Sequence, residues 1–113
     1  MRPRIYISGP ISKGNWPDNY WNFCSTFDRL VELGFAPFNP GGSMMHPGHH
    51  LIPHETWIEI DLPWVAVADA VFRITGESDG ADRECELARE LGIPIFVSTG
   101  DLLIWQEARK AVA

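Results

Sequence analysis

Short apolar segments alternate with segments of helical periodicity along the whole chain, and this alternation constrains the fold more than any other feature. The apolar segments are rich in β-branched and aromatic residues and end near Gly, Pro or Asn. They predict strands at residues 4–8, 35–38, 69–74 and 94–97. The intervening and final segments predict helices at residues 18–33, 54–68, 81–91 and 101–111. Strands that alternate with helices form a parallel sheet covered on both faces, so we expect an α/β fold.

The expected architecture is a small doubly wound sheet of four or five strands, Rossmann-like or flavodoxin-like, with a spatial order of about 2-1-3-4. The chain has 113 residues, too few for two independent cores, so residues 1–113 are expected to form one domain. In this order the chain reverses direction between strands one and three. Open α/β sheets bind ligands at such a point, outside the carboxyl ends of the strands. The sequence therefore predicts a site built from residues 8–15 and 75–84.

Three local features refine this prediction. Pro63 lies inside the second predicted helix and lacks a backbone donor, so we expect that helix to bend or restart near Asp61. Asp101 is expected to cap the last helix. Residues 39–53 are rich in Gly, Pro and His and predict a long loop, functional or mobile.

The charge of the chain limits the classes of partner. Nine Lys and Arg against fifteen Asp and Glu give a formal net charge of −6, which argues against a broad grip on nucleic acid. No apolar stretch reaches the ~20 residues that cross a bilayer, and no leader opens the chain, so we expect a soluble cytoplasmic protein without membrane contact. Cys24 and Cys85 are too few for a disulfide framework and are expected to be reduced thiols.

The segment after the first strand combines glycines, hydroxyls and a lysine ahead of a helix. Backbone N–H groups in such a loop can approach an anion closely, which is typical of a phosphate cradle. The alternative is a tight connection between strand and helix with a solvated lysine. The substrate-binding candidates in this loop are Ser8, Gly9, Ile11, Ser12, Lys13 and Gly14.

The segment after the third strand places Ser78 and Gly80 at the start of a helix and Glu84 about one turn inside it. The helix dipole and nearby N–H groups favour the ionised form of Glu84, which suits a nucleophile or a cation stabiliser. The alternative is that acidic residues here only complement the helix dipole. We take Glu84 as a catalytic candidate and Ser78 and Gly80 as substrate-binding candidates.

Three further residues are expected at the same crevice. Tyr6 on the first strand either donates its phenol to Glu84 or is an ordinary core aromatic. Asp61 and Asp69 supply two more acids near the same side of the sheet. A carboxylate at Asp61 can exchange a proton with a leaving group or hold a sugar hydroxyl, whereas Asp69 binds substrate or orients the turn into its strand.

Two other groups of residues are conspicuous. Three histidines of the 39–53 loop, and a fourth directly after it, have a spacing that could bind a metal ion. No second cluster of ligand residues has a recognised spacing, however. We therefore expect these histidines to be polar side chains of a lid, and we expect no metal or other cofactor. These histidines are His46, His49, His50 and His54. One or two tryptophans are expected to form a flat wall for a base, and the rest to lie in the core or a subunit interface. The four tryptophans considered for these roles are Trp16, Trp21, Trp57 and Trp64.

Together these residues resemble the nucleoside 2-deoxyribosyltransferase-like superfamily, particularly its short phage-type members. The match covers about residues 4–97. The residues that carry it are Ile5-Tyr6-Ile7-Ser8-Gly9-Pro10, Leu33-Gly34, Asn39-Pro40, Asp61, Asp69, Ser78-Asp79-Gly80-Ala81, Glu84, Ala88 and Gly92-Ile93-Pro94.

The resemblance implies cleavage of an N-glycosidic bond. It assigns Glu84 as the nucleophile on the anomeric carbon, Tyr6 as the group that holds it, and Asp61 as the acid beside the nucleobase. Transferases of the family tend to carry an aspartate six residues before the glutamate, where this chain has Ser78. A hydroxyl there resembles the branch that hydrolyses 2′-deoxynucleoside 5′-monophosphates to free base and deoxyribose 5-phosphate.

Three alternatives stay open. The first is a nucleoside 2-deoxyribosyltransferase that exchanges bases. The second is a non-catalytic module that binds or senses a nucleotide, and the third is an enzyme that cleaves NAD. In each case the partner is a small molecule, and we also expect a homodimer or larger homo-oligomer that uses the first two helices.

Overall fold

The computed structural model describes residues 1–112 and contains one parallel sheet of four strands in the order β2-β1-β3-β4. The strands are β1 (Arg4–Ser8), β2 (Ala36–Phe38), β3 (Ala70–Arg73) and β4 (Ile95–Phe96). Central strand β1 pairs with β2 on one side and with β3 on the other. The predicted fold class and strand order are therefore confirmed, with four strands.

Four α-helices connect and follow the strands. They are α1 (Trp16–Glu32), α2 (His54–Ala66), α3 (Asp79–Glu90) and α4 (Thr99–Val112). Polar side chains mark three of the starts: Asn15 accepts a hydrogen bond from the Asp18 N–H, and Ser78 accepts one from the Ala81 N–H. Before α4 the Ser98 hydroxyl accepts from the Asp101 N–H at 3.2 Å. The expectation that Asp101 caps α4 is wrong, because Asp101 lies within the first turn and Ser98 precedes it.

The two faces of the sheet carry separate apolar clusters because side chains alternate along β1. Ile5 and Ile7 face a cluster with Phe23 and Leu30 of α1 and Leu102 of α4. Tyr6 faces the other cluster, whose members are Val65 of α2, Val71 of β3, and Cys85 and Ala88 of α3. This alternation directs the Tyr6 side chain towards α3, the helix that carries Glu84.

The segment between β2 and α2 is more ordered than a loop. It contains two 3₁₀ helices, at Pro40–Met45 and His49–Leu51. Helix α2 continues from His54 to Ala66 without restarting at Pro63, so the proline interrupts one backbone hydrogen bond and not the helix. Within residues 1–112, no helix is long and apolar enough to cross a membrane.

The carboxyl ends of β1 and β3 approach each other too closely for added side-chain atoms. A Cβ at Gly9 would lie 2.9 Å from Cβ of Ile74. Gly76 has φ of +129°, and a Cβ there would lie 2.7 Å from Cγ of Pro10. The loops that follow the two strands therefore pack directly on one another, at the reversal point in the strand order.

Candidate active site

A cavity of about 540 Å³ lies at this edge of the sheet, outside the carboxyl ends of β1 and β3. Residues of both predicted loops line it, together with residues of α2 and of the segment before it. The lining residues are Gly9, Ile11, Ser12, Lys13, Ser43, His49, His50, Ile52, His54, Trp57, Ile58, Asp61, Ser78, Asp79, Gly80, Ala81 and Glu84. The cavity is thus located where the strand order predicts a ligand site.

Glu84 is the buried carboxylate of this cavity, with only 6% of the residue exposed. The Tyr6 hydroxyl donates a hydrogen bond of 2.5 Å to its Oε2 atom, and the Ser8 hydroxyl donates one of 2.8 Å to its Oε1 atom. Tyr6 and Ser8 are fully buried on β1. One strand therefore fixes both oxygens of a carboxylate that belongs to a helix 76 residues or more away in sequence.

The protonation equilibrium of Glu84 reflects opposing effects. Burial raises its pKa, whereas hydrogen bonds from Tyr6 and Ser8 and the positive charge of Arg73 lower it. Burial is the largest of these effects. The expectation that the helix start favours an ionised Glu84 is therefore incomplete, since loss of hydration outweighs the groups that stabilise the charge. Burial and the neighbouring Glu84 charge also raise the pKa of Tyr6, so its phenol remains a hydrogen-bond donor.

Asp61 of α2 lines the same cavity and is half-buried. Its burial and the negative charge of Glu84 raise its pKa to about 7. A carboxyl group with this pKa carries a proton for a large part of the time at neutral pH. The cavity therefore combines a hydrogen-bonded carboxylate with a second acid that is able to donate a proton.

The first loop is held in place by α1. The Asn19 side-chain amide donates to the Ile11 carbonyl at 3.1 Å and to the Lys13 carbonyl at 2.7 Å. The Lys13 ammonium lies 2.8 Å from Oε1 of Glu77, which bridges the loops that follow β1 and β3. Gly14 has positive φ but is not among the cavity-lining residues.

Asp69 is not part of this site, contrary to the prediction that it binds substrate. It precedes β3, so it lies at the edge of the sheet where the strands begin. Its Oδ2 atom accepts a 2.7 Å hydrogen bond from the backbone N–H of Arg4. The physical reason is directional: in a parallel sheet, a residue before a strand and a residue after it lie at opposite edges.

Trp57 of α2 and His49 of the preceding segment form an aromatic wall of the cavity, at one of the tryptophans proposed as a wall for a base. Trp57 stacks on the ring of His49, with ring centroids 4.9 Å apart, and His46 contacts Trp57 in an edge orientation. The Trp57 indole N–H donates to the His49 carbonyl at 3.1 Å. Within residues 1–112, no group of three His, Cys, Asp or Glu side chains is arranged to hold a metal ion. Three of the four histidines, His49, His50 and His54, line the cavity.

Arg73, at the end of β3, is a residue that sequence reasoning missed. Its guanidinium donates to the carbonyls of Ile74 and Gly76 and lies 3.3 Å from Oδ1 of Asp82. It therefore ties the loop after β3 to the first turn of α3 and places a positive charge near Glu84. A charged residue at the end of a buried strand is the signal that would have indicated it.

Comparisons with other proteins agree with this architecture. A 2-deoxyribosyltransferase from the psychrotolerant bacterium Bacillus psychrosaccharolyticus has a similar structure, with a TM-score of 0.62 over 81% of this chain and 69% of that chain. At a sequence identity of 22%, this structural similarity shows a shared fold and no more. The search of curated proteins returned no significant match. The predicted nucleoside 2-deoxyribosyltransferase-like fold is therefore confirmed.

A family model described as "Domain of unknown function (DUF4406)" matches residues 3–97, which include all the strands, α1 to α3 and the whole cavity lining. Because this match extends over most of the sequence, the chain belongs to the DUF4406 family.

Proposed function

We propose that the protein hydrolyses the N-glycosidic bond of a 2′-deoxynucleoside 5′-monophosphate, with Glu84 as nucleophile. The observation that carries the proposal is the pair of short hydrogen bonds from Tyr6 and Ser8 to the two oxygens of Glu84. They orient a buried carboxylate at a cavity that also contains Asp61. Glycoside cleavage needs two such groups, a carboxylate under the anomeric carbon and an acid near the leaving group.

In the first step, a Glu84 carboxylate oxygen forms a bond to C1′ as the C1′–N bond breaks. The electron pair of that bond leaves with the base, and Asp61 supplies the proton that neutralises it. The transition state resembles an oxocarbenium ion, so the negative charge of Glu84 stabilises it electrostatically. Tyr6 and Ser8 hold the carboxylate in position, which lowers the reorganisation needed during the reaction.

In the second step, water attacks C1′ of the glycosyl ester and releases Glu84. Asp61, now ionised, accepts the proton of that water and returns to its starting state. The products are the free base and deoxyribose 5-phosphate. The base is expected to lie toward Asp61 on α2, and the 5′-phosphate toward Ser12 and the start of α3 at Ser78 and Gly80.

Base exchange between 2′-deoxynucleosides is the second candidate, and the charges of the cavity favour it. The Lys13 ammonium is already paired with Glu77 at 2.8 Å. Asp79 lines the cavity beside Ser78 and adds negative charge. Both features reduce the attraction for a phosphate, which suits a neutral nucleoside. The same glycosyl ester on Glu84 would then react with a second base in place of water.

A module that only binds a nucleotide is less well supported by the site. Burial of a carboxylate costs free energy unless hydrogen bonds or an opposite charge compensate for it. A binding module gains nothing from a carboxylate with both oxygens held, next to an acid whose pKa is near neutrality. The same geometry is what a two-carboxylate glycosidase requires.

The test is direct. Purified protein is incubated with each 2′-deoxynucleoside and each 5′-monophosphate, and free base is measured by chromatography. We expect base release from a monophosphate and at least a ~10³-fold loss in Glu84→Gln, as for the removal of other covalent nucleophiles. The amide keeps the shape of the side chain and removes its charge. Full activity in Glu84→Gln would refute the proposal, and a new nucleoside formed with an added base would favour the transferase.

A further inference from the structure

A second recess lies at the opposite edge of the sheet from the catalytic cavity, where β1 and β3 begin. It is an open groove of about 480 Å³, and its charged lining residues are Arg2, Arg4, Asp69, Arg109 and Lys110. These include four of the nine Lys and Arg of a chain whose net charge is −6. Positive charge is therefore concentrated in one small part of an acidic protein.

The cations of this groove are short of carboxylate partners. Elsewhere on the surface Lys13 pairs with Glu77 and Arg83 with Glu55, both at 2.8 Å. In the groove, Arg4 and Arg109 share Asp69, at 3.6 and 3.9 Å.

Lys110 has its own partner, Glu107, at 3.4 Å. Arg2 has no carboxylate partner in the described part of the chain. The groove thus has three guanidinium groups and one carboxylate, Asp69, which only Arg4 and Arg109 contact, so two positive charges are left uncompensated.

Arg2 and Arg109 make further contacts that orient their guanidinium groups. Nη1 of Arg2 donates to the carbonyls of Val31 and Phe35, both at 2.9 Å. The Arg109 guanidinium lies 4.6 Å from the centre of the Trp105 ring. Asp69, anchored by the Arg4 N–H, has a guanidinium on either oxygen. The hydrogen bonds of Arg2 come from a single nitrogen, Nη1, and in the described part of the chain the guanidinium groups of Arg4 and Arg109 make no hydrogen bond, so N–H donors of all three are available to a ligand.

We propose that this groove is a second ligand site, which binds a phosphate group, either that of a small monoester or the free ion. A phosphate monoester carries close to two negative charges at neutral pH, which matches the excess of two positive charges in the groove. Its oxygens also fit the planar fork of a guanidinium. Outside the groove the chain has five of its nine basic and fourteen of its fifteen acidic residues. Their net negative charge repels a long polyanion, so a small ligand is favoured. The proposal is independent of the reaction at Glu84.

The experiment is a titration of ¹⁵N-labelled protein with phenyl phosphate, followed by amide chemical shifts. Amides of Arg2, Arg4 and residues 105–110 report on the groove, and those of Gly9 and residues 11–14 and 78–84 report on the catalytic cavity. Parallel titrations use inorganic phosphate and the uncharged phenol. We expect saturable shifts in the groove with phenyl phosphate that weaken as salt is added, and none with phenol. Equal or tighter binding of inorganic phosphate would assign the site to the free ion, and tighter binding of phenyl phosphate would assign it to a monoester.

Arg109→Gln and Arg4→Gln each remove one guanidinium and are expected to weaken groove binding about tenfold or more, since a hydrogen bond between charged groups is lost. The control is Arg29→Gln, which removes an exposed, paired arginine on α1 and should leave binding unchanged. Thermal unfolding checks that each variant folds. The proposal fails if phenyl phosphate shifts no groove amides up to about 10 mM, the weak limit of specific binding, or if both groove variants bind as well as Arg29→Gln.

Discussion

Glu84 and Tyr6 make the closest polar contact of the candidate site, and each changes the protonation of the other. The phenol donates to the carboxylate, which favours the charged form of Glu84. The carboxylate in turn raises the pKa of Tyr6, so the phenol keeps the proton that it donates. Removal of this one hydroxyl should therefore affect both the position and the ionisation of Glu84.

Tyr6→Phe is expected to lower kcat by roughly 10- to 100-fold, because Glu84 loses one of two hydrogen-bond donors and part of its fixed orientation. The pKa of Glu84 should rise, so the acidic limb of the kcat/KM profile should move to higher pH. Tyr20→Phe is the matched control, since Tyr20 is the other tyrosine of the chain and lies on α1. Identical pH profiles for the two variants would contradict the role of Tyr6.

In the proposed reaction, Asp61 is expected to set the alkaline limit. Its pKa of about 7 means that the protonated form, the proton donor, is lost as the pH rises above 7. The value of kcat/KM is expected to fall about tenfold per pH unit above that value. Asp61→Asn should abolish this limb and reduce activity by ~10²-fold or more.

A substrate whose base leaves without a proton, such as a 7-methylated guanine nucleotide, should lose much less activity in Asp61→Asn. Asp79→Asn is the control, because Asp79 is a cavity-lining carboxylate to which no step is assigned. If the alkaline limb moves in Asp79→Asn and stays in Asp61→Asn, the proton donor has been misassigned.

At the scale of the elements, the site depends on how the ends of β1 and β3 meet. The Gly76 carbonyl accepts a hydrogen bond from the Arg73 guanidinium, and Gly76 packs on Pro10 of the other loop. Any other residue at this position would have to adopt a positive φ, and its side chain would have to displace Pro10. The spacing between the two loops is therefore determined by a glycine.

Gly76→Ala should cost about 2 to 4 kcal/mol of unfolding free energy, since backbone strain of roughly 1 kcal/mol adds to the clash with Pro10. Gly34→Ala is the control: its φ is +95°, and nothing lies within 4 Å of its added Cβ. That variant should lose only about 1 kcal/mol. Denaturant unfolding of both variants measures the difference, and equal losses would show that the Pro10 contact is unimportant.

The sequence predicted most elements because each carries a local signal. Alternation of Ile5, Tyr6 and Ile7 indicates a buried strand, and glycines at positions 34 and 92 indicate helix ends. The 3₁₀ helices and the position of Trp57 against His49 were not predictable, because they depend on packing between distant segments. Asp69 was misplaced for a different reason: the predicted third strand already opened at Asp69, and a residue that opens a parallel strand lies at the edge opposite the carboxyl ends, but this direction was not applied to Asp69.

At the scale of the whole molecule, the candidate site reduces the stability of the fold. Glu84 and Asp61 both have raised pKa values in the folded protein, mainly because of burial. A folded state that holds a proton more tightly than the unfolded state is most stable at low pH and loses stability as the pH rises. For Asp61 the loss extends from its ordinary pKa of 3.8 to about 7. The two acids that the proposed reaction requires therefore lower the stability of the folded chain near neutral pH.

This pH dependence can be measured through unfolding free energies of wild type and Asp61→Asn at several pH values. The asparagine variant cannot ionise, so its stability relative to wild type should increase from pH 4 to pH 8, by about 1 to 2 kcal/mol after allowance for solvent screening of the half-exposed carboxyl. Asp28→Asn, an exposed position on α1, is the control and should follow the wild type. A constant difference between Asp61→Asn and wild type across this range would show that the Asp61 carboxyl is no harder to ionise in the folded chain than in the unfolded one. The assignment of Asp61 as a proton donor at neutral pH would then lose its physical basis.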